Sequence, residues 1–248
     1  MSAVQKAIVF GATSAMAQQT IRLLAAANAE LVLVGRDRER LAAVSADALA
    51  RGAGLVEQLV ADLDEASRFE ALLASAFGRL GRVDLVLVAQ GLLGDMRDCD
   101  RDPALAARVL RTNFTAPALL LEQVAARMAS QGSGTIVAIS SVAGDRGRGS
   151  NHVYGAAKGG LAIYLAGLRN RLFSSGVHVV TVKPGFVDSP MTAGVPRNRL
   201  FAPPSAVAVA ILRAVERRSD VVYVPGFWRA IMWLVRLVPE RVFKRMRL

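Results

Sequence analysis

Seven short runs of apolar, mostly β-branched residues recur along the chain, and longer stretches with apolar residues at helical spacing separate them. The runs are Ala7–Phe10, Leu31–Val34, Leu55–Val60, Leu85–Val88, Thr135–Ile139, Val177–Val182 and Val221–Val224. The helical stretches are Ala15–Ala27, Arg38–Ala50, Ala66–Phe77, Ala104–Met128, Val153–Phe173 and Ser205–Val215. A strand that is apolar throughout needs cover on both faces, and a parallel sheet between two layers of helices gives it that cover. The alternation therefore predicts an α/β fold, a doubly wound parallel sheet of about seven strands with helices on both faces. Ligands in that architecture bind beyond the carboxyl ends of the strands. The residues that follow each run are the first candidates for function.

No Gly-, Ser- or Pro-rich linker or charge run divides the 248 residues, so they read as one Rossmann-type domain. Its body spans 1–226, and 227–248 is a basic, amphipathic tail, either part of the same domain or a membrane-associating extension. Hydrophobic residues make up 53% of the chain, enough for a large core and against disorder. Cys99 alone cannot form an internal disulfide, and with only His152 and His178 beside it no Cys/His metal site is expected. The apolar run at Ala7–Phe10 is too short for a cleavable signal, so cytoplasmic residence is the default expectation. The net charge of +11 suits nucleic acid, an anionic membrane surface, or an anionic cofactor or substrate. No groove-reading motif accompanies the charge, and nucleic acid is not expected as a partner.

The first run leads into Gly11-Ala12-Thr13-Ser14-Ala15-Met16-Ala17, which opens a helix. A tight turn into a helix N-terminus offers N–H groups and a positive dipole end to a pyrophosphate. Gly11 suits the turn, and Thr13 and Ser14 suit helix capping and phosphate contact. The second run ends at Gly35-Arg36-Asp37. A guanidinium there can pair with a 2′-phosphate, where an acidic residue would accept from ribose hydroxyls. Arg36 therefore favours NADP(H), with NAD(H) the alternative and a solvated arginine the bland reading. Asp62, after the third run, either accepts from the adenine amino group or caps the next helix.

Tyr154 and Lys158 are four residues apart, one helical turn on one face. An ammonium so placed is expected to lower the phenol's pKa from about 10, making it an acid/base for a carbonyl or alcohol. Ser141, at the tip of the fifth run, can polarise a carbonyl. Asn113, a poor helix former inside a helical stretch, can bind a backbone carbonyl or a water that relays protons to Lys158.

These residues in this order resemble the short-chain dehydrogenase/reductase family over nearly the whole chain. The matching positions are Gly11 to Ala17, Asp62, Asn113, Ser141, Tyr154, Lys158 and Lys183 to Ser189. The resemblance implies hydride transfer between a nicotinamide and a carbonyl. Tyr154 would be the acid/base, Ser141 would orient the carbonyl, Lys158 would contact the ribose and Asn113 would support the proton relay. It implies cofactor contacts from Gly11, Thr13, Ser14, Met16, Arg36, Asp62, Leu63, Lys158, Pro184, Gly185, Val187 and Ser189, and assembly as a homodimer or homotetramer. The chain departs from the family in carrying Ala15 and Ala17 for glycines, and Val88-Ala89-Gln90-Gly91 for Asn-Asn-Ala-Gly.

The loop Gly144–His152 lies on the expected substrate side. Its Arg146 and Arg148 are either phosphate ligands or solvated loop residues. Pro184 to Pro204, with five prolines, is expected to form a mobile lid. The tail mixes Phe227, Trp228 and Trp233 with Arg229, Arg236, Arg241, Lys244, Arg245 and Arg247. It suits a peripheral contact at the inner face of the cytoplasmic membrane, or a subunit interface. Within the family, Gln90 to Asp95, the Ser-Ser-x-Ala-Gly-Asp-Arg run and the tail look closest to reductases of polyprenyl-phosphate-linked 2-keto-pentoses. That likeness implies a lipid-linked carbonyl substrate, and NADH where Arg36 points to NADPH. The alternatives are a small-molecule substrate of a soluble carbonyl, steroid or 3-oxoacyl reductase of the same family, or a non-enzymatic NADP(H)-sensing protein.

Overall fold

The structure, a computed structural model, describes residues 4–194 and 196–246; Arg247 of the tail lies outside them. In chain order the strands are β1 (Lys6–Phe10), β2 (Glu30–Gly35), β3 (Leu55–Val60), β4 (Leu85–Val88), β5 (Thr135–Ile139), β6 (His178–Pro184), β7 (Phe186–Val187), β8 (Phe201–Ala202) and β9 (Val221–Val224). Seven of them form one sheet in the order β3-β2-β1-β4-β5-β6-β9, and β7 pairs with β8 alone. Every pairing is parallel. The reversal of strand order beside β1 opens a crevice at the carboxyl ends of β1 and β4.

The helices are α1 (Ala15–Ala25), α2 (Arg38–Ala50), α3 (Phe69–Leu80), α4 (Met96–Arg101), α5 (Pro103–Leu110), α6 (Ala116–Gln131), α7 (His152–Leu172), α8 (Pro204–Glu216), α9 (Trp228–Leu237) and α10 (Glu240–Phe243). Alternate strand residues feed two cores. Ile8, Phe10, Val32, Val34, Val86 and Val88 pack with α3, α6 and α7 on one face. Ala7, Val9, Leu31, Leu33, Leu85 and Leu87 pack with α1, α2 and α8 on the other. That two-sided burial is why the runs Ala7–Phe10, Leu31–Val34 and Leu85–Val88 of β1, β2 and β4 contain no polar residue. The expectation fails at β3, an edge strand with partly exposed residues throughout, among them Glu57 and Gln58.

The stretch read as one helix over Ala104–Met128 is divided into α5 and α6 by a wider π-turn at Arg111–Thr115. Pro117 supplies the reason. It has no N–H to give the carbonyl of residue 113, and its ring would crowd that carbonyl in a regular helix. The wider turn, in which Ala116 N donates to Arg111 O, absorbs the misfit at Asn113.

Past β9 the chain folds back on the domain, burying Trp228, Met232 and Phe243. The opposite side of α9 leaves Trp233, Leu234 and Leu237 63%, 58% and 60% exposed. Among the described residues no helix is long and apolar enough to cross a membrane.

Candidate active site

The turn after β1 is built around Gly11, whose φ of +72° lies in the left-handed region. A Cβ there would come within 2.7 Å of Gln90 N, so only glycine lets β1 and the loop after β4 meet. Gly11 N and Ala12 N both donate to Val34 O at 3.0 Å, fixing the turn against β2. Ser14 caps α1, its Oγ accepting from Ala17 N at 3.2 Å. The first turn of α1 contains no acidic side chain, so the positive end of the helix is not neutralised locally. Ala17 is fully buried, and Met16 packs partly buried against the second core. Thr13 O accepts from Gln18 Nε2 at 2.9 Å and from Arg40 Nη2 at 3.3 Å.

Arg36 is exposed at the end of β2, and no ion pair holds it among the described residues. Asp37 caps α2 by accepting from Arg40 N at 3.0 Å. Arg40 thus joins Arg36 beside the turn, a second cation that only the packing reveals. Asp62 does not cap the following helix. Its Oδ1 accepts from Asp64 N at 3.0 Å in a local turn, with Leu63 buried between them. The donor-rich turn, the glycine cradle and the two exposed guanidiniums fit an anionic dinucleotide.

Ser141, Tyr154 and Lys158 are all buried at the carboxyl end of β5, and the Ser141 side chain lies beside the Tyr154 hydroxyl, where it favours the ionised phenol. Three glycines make this approach feasible. A Cβ on Gly144 would meet Gly159 N and Lys158 C at 2.6 Å, and those on Gly155 and Gly159 would meet Ala143 O and Gly144 O at 2.9 Å. Two backbones therefore touch where side chains would hold them apart. Ser140 Oγ donates to Lys158 O at 2.8 Å, and Ser141 Oγ accepts from Ala143 N at 3.1 Å. The glycines were in plain view in the sequence, but their spacing shows its purpose only once the loop lies on α7.

The electrostatics correct one expectation. Lys158 does not bring the phenol down: burial pushes Tyr154 up to about 12, and the neighbouring Ser141 side chain only partly opposes it. The ammonium sits 5.9 Å from the Tyr154 ring centroid and donates instead to Ile139 O at 2.9 Å. Burial brings Lys158 itself down to about 8. Burial is the largest cause for both groups.

Asn113, in the π-turn, donates from Nδ2 to Leu92 O at 2.6 Å and Val109 O at 2.8 Å. Its Oδ1 accepts from Leu92 N at 3.1 Å. The amide thus clamps the loop after β4. Gly91 stands between Asn113 and Lys158: a Cβ there would lie 3.2 Å from Asn113 Oδ1 and 3.7 Å from Lys158 Nζ. A cleft opens beside it, lined by Gly91, Leu92, Leu93, Gly94 and Met191. Gln90 ties the same loop to the π-turn, Nε2 donating to Thr112 O at 3.3 Å.

Pro184 ends β6 and Gly185 N donates to Val224 O at 2.9 Å. Val187 is buried, and Thr192 holds the segment by donating to Val187 O at 2.5 Å and accepting from Ser189 N at 3.3 Å. Met191, in this segment, reaches the cleft. The two loop arginines part company. Arg146 is not free for a phosphate, because the tail occupies it: it donates to Val238 O and Glu240 Oε2, both at 2.8 Å. Arg148 keeps a half-buried guanidinium whose Nε is buried without a partner, and desolvation pulls its pKa down. Sequence reasoning could not separate them.

A family model described as short chain dehydrogenase matches residues 5–200. An uncharacterized oxidoreductase of Mycobacterium tuberculosis is 36% identical over 239 residues, 96% of each chain. Another from Streptomyces coelicolor is 37% identical over 242 residues, 96% of this chain and 94% of that one. Levodione reductase superposes with a TM-score of 0.80 at 25% identity, covering 91% of this chain and 98% of its own. A variant actinorhodin polyketide ketoreductase with NADPH shares the fold, with a TM-score of 0.81 at 23% identity over 92% and 99%. With the crevice at the strand-order reversal and the Ser–Tyr–Lys cluster beside it, the chain belongs to the short-chain dehydrogenase family and is an NAD(P)-dependent oxidoreductase.

Proposed function

We propose that the protein reduces the carbonyl of an anionic substrate with NADP(H) in preference to NAD(H). The observation that carries this is the burial of Ser141 beside the Tyr154 hydroxyl, with Lys158 one helical turn away, next to an open cleft. A bound nicotinamide supplies the hydride. Gly11, Thr13, Ser14 and Met16 would hold its pyrophosphate at the α1 N-terminus, Arg36 its 2′-phosphate, and Asp62 and Leu63 its adenine. Pro184, Gly185, Val187 and Ser189 would hold the carboxamide side and Lys158 the ribose.

Ser141 then hydrogen-bonds the carbonyl oxygen, and Tyr154 gives that oxygen its proton as charge develops there. A phenol pushed up to about 12 is protonated at neutral pH, which suits a donor in reduction. Lys158, near 8, is placed to hold a proton close by, and Asn113 fixes the Leu92 backbone next to Gly91.

The finer proposal for the substrate is a polyprenyl-phosphate-linked 2-keto-pentose, the reaction of decaprenylphosphoryl-2-keto-erythro-pentose reductase. Arg148 supports the anionic class, since its half-buried guanidinium, whose Nε has no partner, gains most from a charged one. One assay tests both halves. The wild type is expected to oxidise NADPH in the presence of a phosphorylated keto-sugar. Arg36→Ala should remove the preference over NADH. Arg148→Ala should raise the substrate KM by about tenfold or more at similar kcat. Turnover confined to neutral carbonyls would move the assignment to a soluble carbonyl, steroid or 3-oxoacyl reductase. NADPH binding with no turnover would leave a cofactor-sensing protein.

The exposed side of the tail favours a second property, peripheral contact with the inner face of the cytoplasmic membrane. Trp233, Leu234, Leu237 and Val242 stand exposed among Arg229, Arg236, Arg241 and Lys244. Apolar side chains with basic neighbours suit the headgroup boundary of an anionic bilayer. The protein should float with anionic vesicles and not neutral ones, and Trp233→Ser with Leu237→Ser should abolish flotation. Unchanged flotation of the double variant excludes this surface. Ile163 and Phe173, 77% and 86% exposed on and just after α7, support self-association as a dimer or tetramer.

A further inference from the structure

We infer that the C-terminal segment is a strut of the active site, with Arg146 and Trp228 as positioning residues that set the affinity for the carbonyl substrate. The inference rests on Ser141 and Tyr154 as the reacting pair, and on contacts that join two loops to one helix.

The first loop runs from Ser141 to Tyr154. Its root is fixed by Asp145, whose carboxylate is 3% exposed and accepts from Lys183 Nζ at 2.5 Å and Tyr223 OH at 2.8 Å. The neighbouring Arg146 reaches out to the tail. The last carbonyls of a helix have no partner within the helix, and α9 ends at Leu237. Arg146 Nη1 donates to three carbonyls there, those of Val235 at 3.3 Å, Arg236 at 3.1 Å and Val238 at 2.8 Å. Nη2 donates to Glu240 Oε2 at 2.8 Å, and the guanidinium lies 4.1 Å over the Phe243 ring. One side chain that is 16% exposed thus caps α9 and anchors α10. Only a planar, multiply donating cation makes all of these contacts at once.

The second loop is the segment after β6. Trp228, at the start of α9, lies against it so closely that a Cβ on Gly185 would be 1.9 Å from the indole nitrogen. Phe186 meets the indole edge-on at 5.9 Å and stacks on Phe201 at 5.3 Å. Val142, one residue past Ser141, is buried in the same cluster as Trp228 and Met232. The helix therefore touches the loop of the Ser141–Tyr154 pair with one end and the expected nicotinamide-side loop with the other. Loosening it lets both loops drift, and a displacement of about an ångström is enough to weaken a bound reactant's alignment severely.

This role belongs to the inner side of α9, whereas the membrane contact proposed above belongs to its outer side. The two are separable by experiment. Kinetics of Arg146→Ala are compared with wild type on a carbonyl that the wild type reduces. The carbonyl KM is expected to rise about tenfold or more, with a smaller rise in the NADPH KM because the segment after β6 loosens as well, and with kcat falling by less than the carbonyl KM rises. Added ethylguanidinium should restore part of the loss, which it would not do for a merely destabilised fold. Arg146→Lys should not recover wild-type KM, because an ammonium cannot span three carbonyls and a carboxylate. Trp233→Ser, on the outer side, should leave the kinetics unchanged.

Hydrogen exchange gives a readout independent of turnover. In Arg146→Ala, amides of both 142–151 and 186–203 should exchange faster while β1 to β5 are unaffected. Phe243→Leu, which removes only the ring contact, should show a smaller effect of the same pattern. A wild-type carbonyl KM in Arg146→Ala, or faster exchange confined to α9 and α10, overturns the inference. Failure of the reacting pair would show instead as undiminished turnover in Tyr154→Phe, whatever Arg146 does.

Discussion

Tyr154→Phe is expected to lower kcat at least about a hundredfold while leaving NADPH affinity within about twofold. The substitution removes one oxygen and keeps the ring, so the packing of residue 154 with Val109, Ala143 and Leu92 survives. It removes the hydroxyl beside Ser141, and with it the proton that must reach the reduced oxygen. The sign of the pH dependence follows from the same groups. Tyr154, near 12, stays protonated across the ordinary assay range. Lys158 loses its proton near 8. Reduction by the wild type should therefore decline as pH rises through about 8, the range set by lysine and not by the phenol. The measurement is steady-state kcat across pH, with NADPH binding followed by fluorescence. Tyr154→Phe turning over at the wild-type rate would falsify the assignment of the proton donor.

Much of this arrangement is legible in the sequence. The inner strands announce themselves because both of their faces are buried, and Leu85–Val88 and Thr135–Ile139 coincide with observed strands, as do the more exposed edge runs Leu55–Val60 and Val221–Val224. The residues at the strand ends followed, since the doubly wound topology leaves function nowhere else to sit. What stayed hidden depends on contacts between elements distant in sequence. Arg146 and Arg148 look alike as neighbours in a glycine-spaced loop, yet one is spent on carbonyls some 90 residues away and the other is not. The pKa of Tyr154 hid for a related reason. Spacing shows that an ammonium is one turn away, but not that Ile139 O draws it aside or how deeply both groups are buried. The π-turn at Asn113 was within reach, because Pro117 forbids a regular helix four residues before it.

Gly144→Ala is the other change expected to be severe, although it adds a single methyl group to a residue that performs no chemistry. The methyl carbon would sit 2.6 Å from Gly159 N and from Lys158 C. Both are backbone atoms of α7 and cannot rotate away, so the turn at 142–144 must retreat from the helix. Ser141 caps that turn through Ala143 N and has to retreat with it, opening the distance to Tyr154. A shift of about an ångström between reacting groups costs on the order of a hundredfold in rate. Overpacking of this kind also costs about 1–3 kcal/mol of stability. In a chain of 248 residues that corresponds to a fall in Tm of roughly 2–4 °C per kcal/mol. Gly147→Ala is the matched control, in the same loop with no heavy atom within 4 Å of the added carbon, and should change neither quantity. Thermal melts separate the two consequences: at a temperature where Gly144→Ala is fully folded, the loss of kcat should persist. Full activity in that folded variant would mean that backbone contact between the serine loop and α7 does not set the Ser141–Tyr154 geometry.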